Sequence, residues 1–218
     1  YPVVGQIVPQ HPAASVKGPK YVVKKGKTPV LTSEETRELF GSIETATIGG
    51  LRDRALIGVM AYSFARVSAV VQMNVEDYYH QGRRSFLRLH EKGGKHHEVP
   101  AHHTIVEYLD AYVKAAGISE DAKGPLFRTL DRKKILTSAR LNRRKALAII
   151  KRRSEAVGLG SRICCHSFRA TGITNFLENG GTIEKAQAIA AHESPRTTKL
   201  YDRTQDQLTL DEIERVRY

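Results

Sequence analysis

The sequence predicts a mainly helical fold that carries one small antiparallel β-hairpin or sheet, which places it in the α+β class. Apolar residues recur at helical spacing before and after a short central stretch of the chain. Within that stretch, residues 85–90 and 95–100 have the pattern of two strands, joined by a turn at Lys92-Gly93-Gly94. The chain has 218 residues, of which 40% are hydrophobic, so it can form one large domain with a hydrophobic core.

The amino-terminal part of the chain differs in composition from the rest. Residues 1–30 are rich in Pro, Val, Lys and Gly and have no helical period, which predicts a linker or the end of a preceding domain. The chain does not begin with Met and its first residues lack the pattern of a secretory signal, so we expect a piece of a longer protein. Thr32 and Glu35 have the spacing of a capping box, which predicts that a domain over residues 31–218 opens with a helix.

Further helices are predicted from apolar periodicity and from residues that start or stop helices. The first helix is expected to continue to about residue 47, and Gly49-Gly50 to break the pattern. In the second helix Leu56, Met60 and Phe64 recur on one face. The helices predicted after the first cover residues 51–65, 103–116, 137–157 and 208–218, with short helices between the last two.

The chain is strongly basic, with a formal net charge of +12. Such an excess indicates a nucleic-acid partner, and the chain has no apolar run long enough to cross a membrane. The charge is concentrated, because residues 131–162 contain eleven Lys or Arg and only two acidic residues. We therefore predict a DNA-binding surface on the helix over residues 137–157. Its expected DNA-binding residues are Arg140, Arg143, Arg144, Lys151, Arg152 and Arg153.

The sequence predicts neither a metal site nor a cofactor. Cys164 and Cys165 are adjacent, which fits neither a zinc-binding spacing nor a disulfide that forms easily. We interpret them as buried thiols of a protein from a reducing cytoplasm. Acidic residues do not cluster as the ligands of a metal-dependent nuclease would, which disfavours that class of enzyme.

Two segments in the C-terminal third combine residues that could carry chemistry. His166 and Arg169 are three residues apart and would share one face of a helix. His192 and Tyr201 flank a short helix that starts at Pro195 and is rich in hydroxyl groups. Each pair alone has an ordinary structural interpretation, because half-buried tyrosines and histidines that only support packing are common.

The specificity of the pattern comes from an ordered set of residues in three blocks, which contain Phe64-Ala-Arg66, Glu91-Lys92-Gly and His166-Ser-Phe-Arg169. The last block runs on through His192 to Tyr201. In order and spacing these blocks resemble the catalytic domain of the tyrosine recombinase family, which includes phage integrases. The resemblance covers most of residues 32–203 and implies the fold of that catalytic domain. The residues that it assigns to the active site are Arg66, Lys92, His166, Arg169, His192 and Tyr201.

The resemblance implies a site-specific DNA recombinase or integrase that cleaves and rejoins DNA strands without a metal or nucleotide cofactor. Tyr201 would attack the phosphate and form a 3′-phosphotyrosine intermediate, which keeps the bond energy for religation. His166 would accept the proton of the phenol, because a free phenol ionises only near pH 10. Lys92 would protonate the leaving 5′-oxygen, and Lys95 is the competing candidate for this role.

The remaining roles are electrostatic. The resemblance assigns Arg66 and Arg169 to the phosphate, whose negative charge grows in the transition state, and His192 to a further hydrogen bond. The sequence departs from the family pattern in two places. Ala69 stands where many relatives have an acidic residue that helps to orient the site, and Ala191 stands where relatives usually have Gly.

The resemblance also implies partners. The expected partner is double-stranded DNA in a bacterial or phage-derived system, held between this domain and an amino-terminal core-binding domain that would precede it. In the family the segment after the tyrosine docks on a neighbouring protomer, so we expect a homotetramer for the full-length protein and a monomer for the isolated fragment. The residues that could form an apolar stripe for such docking, or pack on their own domain, are Leu208, Leu210, Ile213 and Val216.

Two alternatives remain open at the level of sequence. A type IB topoisomerase uses nearly the same residues, but it works as a monomer and with little sequence preference. A catalytically silent DNA-binding module would keep the fold, and in that case Tyr201→Phe would change no activity.

Overall fold

The computed structural model describes residues 26–90 and 96–202 and confirms the α+β class, with helices around two small antiparallel sheets. Residues 1–25 of the linker predicted over 1–30 lie outside the described residues, as do the turn at Lys92, the competing Lys95 and the predicted helix over 208–218. The helices are α1 (Ser33–Gly41), α2 (Ile48–Tyr62), α3 (Val67–Gln72), α4 (His103–Ala116), α5 (Arg143–Ala156), α6 (Cys165–Glu178), α7 (Ile183–Ile189) and α8 (Pro195–Lys199). The strands are β1 (Tyr78–Gln81), β2 (Arg84–His90), β3 (His96–Pro100), β4 (Arg128–Leu130) and β5 (Leu136–Arg140).

Helix α1 begins with the predicted capping box. The amide of Glu35 donates to Thr32 Oγ1 over 3.1 Å, and the amide of Thr32 donates to Glu35 Oε2 over 2.8 Å. The helix ends at Gly41, earlier than predicted, because Thr47 instead caps α2 and accepts from the amide of Gly50 over 3.1 Å. The two adjacent glycines therefore lie in the first turn of α2 and do not break a helix.

Helix α2 is the centre of the core and packs against α4 and α6. Leu56 and Met60 are fully buried, as the apolar period predicted. The helix ends at Tyr62, three residues before the predicted end, and Phe64 has a positive φ of 53° that turns the chain away from the helix axis. Arg66 is then the N-cap of α3, a short helix that was not predicted from the sequence.

The first sheet has the order β1-β2-β3, with both pairs antiparallel. The two strands predicted from sequence are confirmed as β2 and β3, although the described part of the second begins at His96 and not at residue 95. Strand β1 was missed, because it is only four residues long and its exposed end has no apolar alternation.

The prediction of one basic helix over residues 137–157 is wrong in its first part. Residues Leu136–Arg140 form strand β5, which pairs with β4, and α5 starts only at Arg143. Thr137 is β-branched, which favours a strand, and its hydroxyl lies 2.7 Å from that of Thr129. Asn142 accepts from the amide of Lys145 over 2.9 Å and so sets the start of α5.

Helix α6 crosses α2 at a point where the two backbones nearly touch. A Cβ atom at Gly172 would lie only 1.9 Å from the carbonyl oxygen of Ala61 and 2.8 Å from the ring of Phe64. Only glycine permits so close an approach. The crossing therefore fixes α6 against the end of α2, beside the turn that leads to Arg66.

The two cysteines precede and open α6. Cys164 and Cys165 are free thiols, as predicted, but they are of intermediate exposure and not buried. Burial raises the pKa of Cys165 to about 11. Among the described residues, no helix is long and apolar enough to span a membrane.

Candidate active site

Helix α6 presents two of the predicted site residues on one face. His166 lies in its first turn and is exposed, whereas Arg169, three residues later, is completely buried. The spacing predicted that both side chains point the same way, and the structure brings both to Tyr201. His166 forms the exposed edge of the site, and Arg169 forms its buried base.

Tyr201 directly follows α8. Ser194 caps this helix by accepting from the amide of Arg196, and Pro195 occupies its first turn. The Tyr201 side chain is 7% exposed, and its hydroxyl lies 2.6 Å from His166 Nε2. A phenol and an imidazole at this distance have the geometry that a nucleophile and its activating base require.

His192 lies on the other side of the tyrosine. Its ring is stacked on that of Tyr201, with 6.0 Å between the ring centroids and an angle of 6° between the planes. Its Nδ1 lies 2.9 Å from Thr198 Oγ1, and its carbonyl oxygen accepts from Gln187 Nε2 over 3.1 Å. The sequence analysis missed Thr198; the only signal was the run of hydroxyl residues between His192 and Tyr201.

Arg169 connects two chain segments that are far apart in sequence. Its guanidinium donates to the carbonyl oxygen of Phe64, in the turn between α2 and α3. It also donates to the carbonyl oxygen of Ala190, at the end of α7, over 2.6 Å. Both acceptors are main-chain carbonyl oxygens, so no pattern of side chains in the sequence could predict these contacts. The buried arginine thereby fixes the two turns that lead to Arg66 and to His192.

Arg66 is half-buried at the N-cap of α3. Its charge is close enough to the other site residues to lower the pKa values of His166, His192 and Tyr201. Of the six predicted residues, the structure brings together Arg66, His166, Arg169, His192 and Tyr201. Lys92 belongs to residues that the structure does not describe.

Burial and the two arginines set the protonation of the site. Burial raises the pKa of Tyr201, an effect that Arg169 and Arg66 oppose. Desolvation, partial for the exposed His166 and stronger for the buried His192, acts with the same two positive charges to lower the pKa of His166 below its ordinary value and that of His192 to about 3. At neutral pH the phenol is therefore protonated and both imidazoles are neutral, so His166 is able to accept a proton.

The strands on both sides of the undescribed turn are held by histidine contacts, of which the one on β3 lies near the site. His97 on β3 places its Nε2 3.0 Å from the carbonyl oxygen of Ile189, the residue before the Ala190 carbonyl that Arg169 binds. His90, at the end of β2, contacts the buried Asp77 over 3.1 Å. The base of the predicted hairpin is thus fixed beside α7.

The predicted DNA-binding residues fall into two groups. Arg140 donates to the carbonyl oxygens of residues 71, 72 and 73, at 3.0, 2.7 and 2.9 Å, and so holds the end of α3. Arg152 and Arg153 each bind Asp53, which is completely buried, over 2.8 Å, although Arg152 itself remains exposed. Arg143 and Arg144 are exposed at the start of α5. Lys151 is half-buried and contacts the carbonyl oxygen of Ser161.

The two departures from the family pattern have structural counterparts. Ala69 is buried inside α3, in the same helix that Arg66 caps. Ala191 has a positive φ of 47°, a conformation that glycine adopts without strain and alanine does not. In the ranges 26–90 and 96–202, no three His, Cys, Asp or Glu side chains are grouped so that they could hold a metal ion.

Solved structures define the fold. The XerH site-specific recombinase bound to its difH substrate matches with a TM-score of 0.67 and 17% identity, over 90% of this chain and 55% of that one. A lambda integrase dimer bound to a COC′ core site matches with a TM-score of 0.67 and 16% identity, over 96% of this chain and 71% of that one. The chain therefore has the fold of site-specific recombinases and integrases.

Sequence comparison gives the family. The profile of the phage integrase family matches residues 29–207, so the chain belongs to that family. The tyrosine recombinase XerD of Staphylococcus epidermidis is 27% identical over 193 residues, which are 87% of this chain and 62% of that protein. XerC of Chlamydia muridarum is 28% identical over 202 residues, 91% of this chain and 61% of that protein. The chain thus spans less than two thirds of the length of these relatives.

Proposed function

We propose that this chain is the catalytic part of a site-specific DNA recombinase or integrase that cleaves and rejoins strands through a 3′-phosphotyrosine intermediate. The observation that carries the proposal is the contact of 2.6 Å between the Tyr201 hydroxyl and His166 Nε2, beside Arg66 and Arg169. Membership of the phage integrase family supports it. A nucleophile, a base and fixed positive charge are the parts that phosphoryl transfer requires.

The first step makes one bond and breaks one. The Tyr201 oxygen attacks phosphorus as its proton passes to the neutral His166, and the bond from phosphorus to the 5′-oxygen breaks. The leaving oxygen takes a proton, for which Lys92 is the proposed donor, and becomes a 5′-hydroxyl. Religation reverses these steps with the 5′-hydroxyl of another strand, so the energy of the broken bond is retained.

The positive charges stabilise the transition state. Arg66 is half-buried and therefore accessible to a phosphate oxygen, while Arg169 contributes its charge from the buried base of the site. If Nδ1 of the neutral His192 accepts from the Thr198 hydroxyl, its Nε2 carries a hydrogen and can donate to the phosphate. Such fixed donors act without reorganisation as charge develops.

The proposed partner is double-stranded DNA, in the cytoplasm of a bacterial or phage-derived system. The exposed Arg143 and Arg144 and the net charge of +12 support it. We further propose a catalytic domain over residues 31–218 and a homotetramer for the full-length protein, with the isolated fragment monomeric. The residues assigned to docking on a neighbouring protomer follow Tyr201.

The test is the formation of a covalent protein–DNA adduct. The chain is incubated in chelator with a pool of nicked suicide duplexes of randomised sequence, denatured, and analysed for protein linked to a 3′ end. We expect an adduct with the wild type and with Tyr62→Phe, a control at an exposed tyrosine, and none with Tyr201→Phe. Sequencing the trapped DNA would then reveal the preferred target.

The other outcomes are equally informative. An adduct that survives in Tyr201→Phe would refute the assigned nucleophile. The absence of any adduct, with the amino-terminal DNA-clamping domain restored, would favour the silent DNA-binding module. Trapped DNA without sequence preference would favour the topoisomerase alternative.

A further inference from the structure

We propose that residues 26–31, here called the entry segment, position Tyr201 for attack and so couple the upstream chain to the cleavage step. The inference rests on the proposed function of Tyr201 as the nucleophile. The entry segment leads into α1, the first helix, whereas α8 is the last helix of the described residues. Three observations on described residues connect the two.

The first observation is a main-chain hydrogen bond. The amide of Gly26 donates to the carbonyl oxygen of Leu200 over 3.1 Å. Leu200 is the C-cap of α8 and the residue directly before Tyr201. A contact at this point acts on the nucleophile through a single peptide unit, so a small displacement of the entry segment displaces the phenol.

The second observation is the lack of space at Gly26. A Cβ atom there would lie 2.8 Å from the Leu200 oxygen and 3.6 Å from its carbonyl carbon. Both are main-chain atoms, which cannot rotate away as a flexible side chain would. Any residue with a side chain at this position must therefore move the entry segment, or the backbone that carries Tyr201.

The third observation is the second anchor of the segment. The amide of the buried Leu31 donates to Thr171 Oγ1 over 3.0 Å, and Thr171 lies on α6 two residues after Arg169. Between the anchors, Val30 packs against the apolar cluster that contains Tyr201 and Phe64. The entry segment is thus attached both to the helix that holds the base and to the segment that holds the nucleophile.

These contacts complete the support of the nucleophile. On the α6 side, Thr174 Oγ1 donates to the carbonyl oxygen of Tyr201 over 2.9 Å. On the other side, only the short α8, five residues long, leads into Tyr201. The entry segment supplies a second hydrogen bond to the main chain, at Leu200, one residue before Tyr201. It therefore stabilises the distance of 2.6 Å from the phenol to His166, and a pull on the chain before residue 26 is transmitted to this distance.

The test substitutes Gly26→Ala and compares it with Gly41→Ala, where an added Cβ meets no atom within 4 Å. Single-turnover adduct formation and DNA affinity are measured on the same suicide duplexes. We expect the rate in Gly26→Ala to fall roughly tenfold or more, because ångström displacements of a reacting group have effects of that size. We expect DNA affinity and the melting temperature to stay close to those of Gly41→Ala. Rates that are unchanged or faster in Gly26→Ala would overturn the proposal.

A second measurement does not depend on activity. Hydrogen–deuterium exchange in peptides that cover residues 196–202 should be faster in Gly26→Ala than in the wild type and in Gly41→Ala. Unchanged exchange would also overturn the proposal. If the wild type forms no Tyr201-dependent adduct, the proposed function fails and the coupling to cleavage fails with it, while altered exchange would still establish the mechanical contact. If the wild type is active and Gly26→Ala matches it, only this inference fails.

Discussion

The assembled site around Tyr201 and the basic stretch over residues 131–162 were both singled out by their side chains, yet they differ in what those side chains do. At the site, His166, Arg169 and Tyr201 converge from separate segments on one point. In the basic stretch, several charges turn inward and bind the protein itself, as Arg140 and Arg153 do. The ordered set of site residues thus predicted side chains that come together in the structure. The local count of basic residues, by contrast, overestimated how many of them are available to bind DNA.

The comparison teaches that arginine has two uses which composition cannot separate. A guanidinium has five donors and can satisfy several carbonyl oxygens or one buried carboxylate. Arg169 binds two main-chain carbonyls, and its charge also opposes the rise that burial causes in the pKa of Tyr201. Two predictions test this division and a third tests the burial of His192 at the site, in order from the largest expected effect to the smallest.

Arg169→Lys should reduce the rate of adduct formation by roughly a hundredfold or more, because an ammonium cannot reproduce the planar fork that the transition state requires. It should also lower the free energy of unfolding by about 2 kcal/mol, because one of the two buried carbonyl oxygens loses its donor. Arg66→Lys should reduce the rate with little loss of stability, since Arg66 is half-buried. Single-turnover kinetics and urea unfolding measure the two effects, and equal stability losses in both variants would contradict the assignment.

Arg140→Met and Arg144→Gln should separate the two groups of basic residues. Arg140→Met should lower the free energy of unfolding by about 2 kcal/mol, because the carbonyl oxygens at the end of α3 lose their donor. Arg144→Gln should leave stability unchanged but weaken DNA binding, and lower the slope of log affinity against log salt by about 1. A salt titration of DNA binding and urea unfolding of both variants distinguish the two groups. A reduced salt slope in a folded Arg140→Met would show that this residue also contacts phosphate.

The smallest predicted effect is the dependence of stability on pH. The native pKa of His192 is about 3, below its ordinary value, so between these values the unfolded chain binds a proton that the native chain does not. Stability should therefore fall as the pH drops below about 6.5, by about 1 to 2 kcal/mol at pH 5. His192→Gln should flatten this part of the profile, and His80→Gln, at an exposed histidine, should not. Parallel profiles for all three proteins would refute the prediction.

The sequence predicted elements where the local pattern determines the structure. The capping box at Thr32 and helix α4, with the bounds that the structure gives, belong to this group. Strand β5 was predicted as helix, because a pattern of apolar and basic residues does not distinguish a helical segment from a short strand that pairs with the strand before it, here β4. Local patterns describe what a segment prefers, and tertiary pairing decides between similar preferences.

The sequence predicted the reactive side chains of the candidate site but not the contacts that hold them in place. His166 and Tyr201 were identified because the ordered set to which they belong resembles the tyrosine recombinase family. The carbonyl oxygens of Phe64 and Ala190 were not, since every residue has a carbonyl oxygen and nothing in the sequence marks the two that Arg169 selects. The partner of Arg153 lies a hundred residues earlier in the chain, at Asp53, which is also beyond any local pattern.

The close crossing at Gly172 has a consequence for comparing this chain with others. A side chain there would force α6 away from the end of α2, and because α6 carries His166 while the turn after α2 leads to Arg66, these two residues would separate. The residue at this one position is therefore a criterion that can be applied to a bare sequence. A homologue that has all the reactive residues but a bulky residue at the equivalent of Gly172 has either altered the crossing or lost the active geometry.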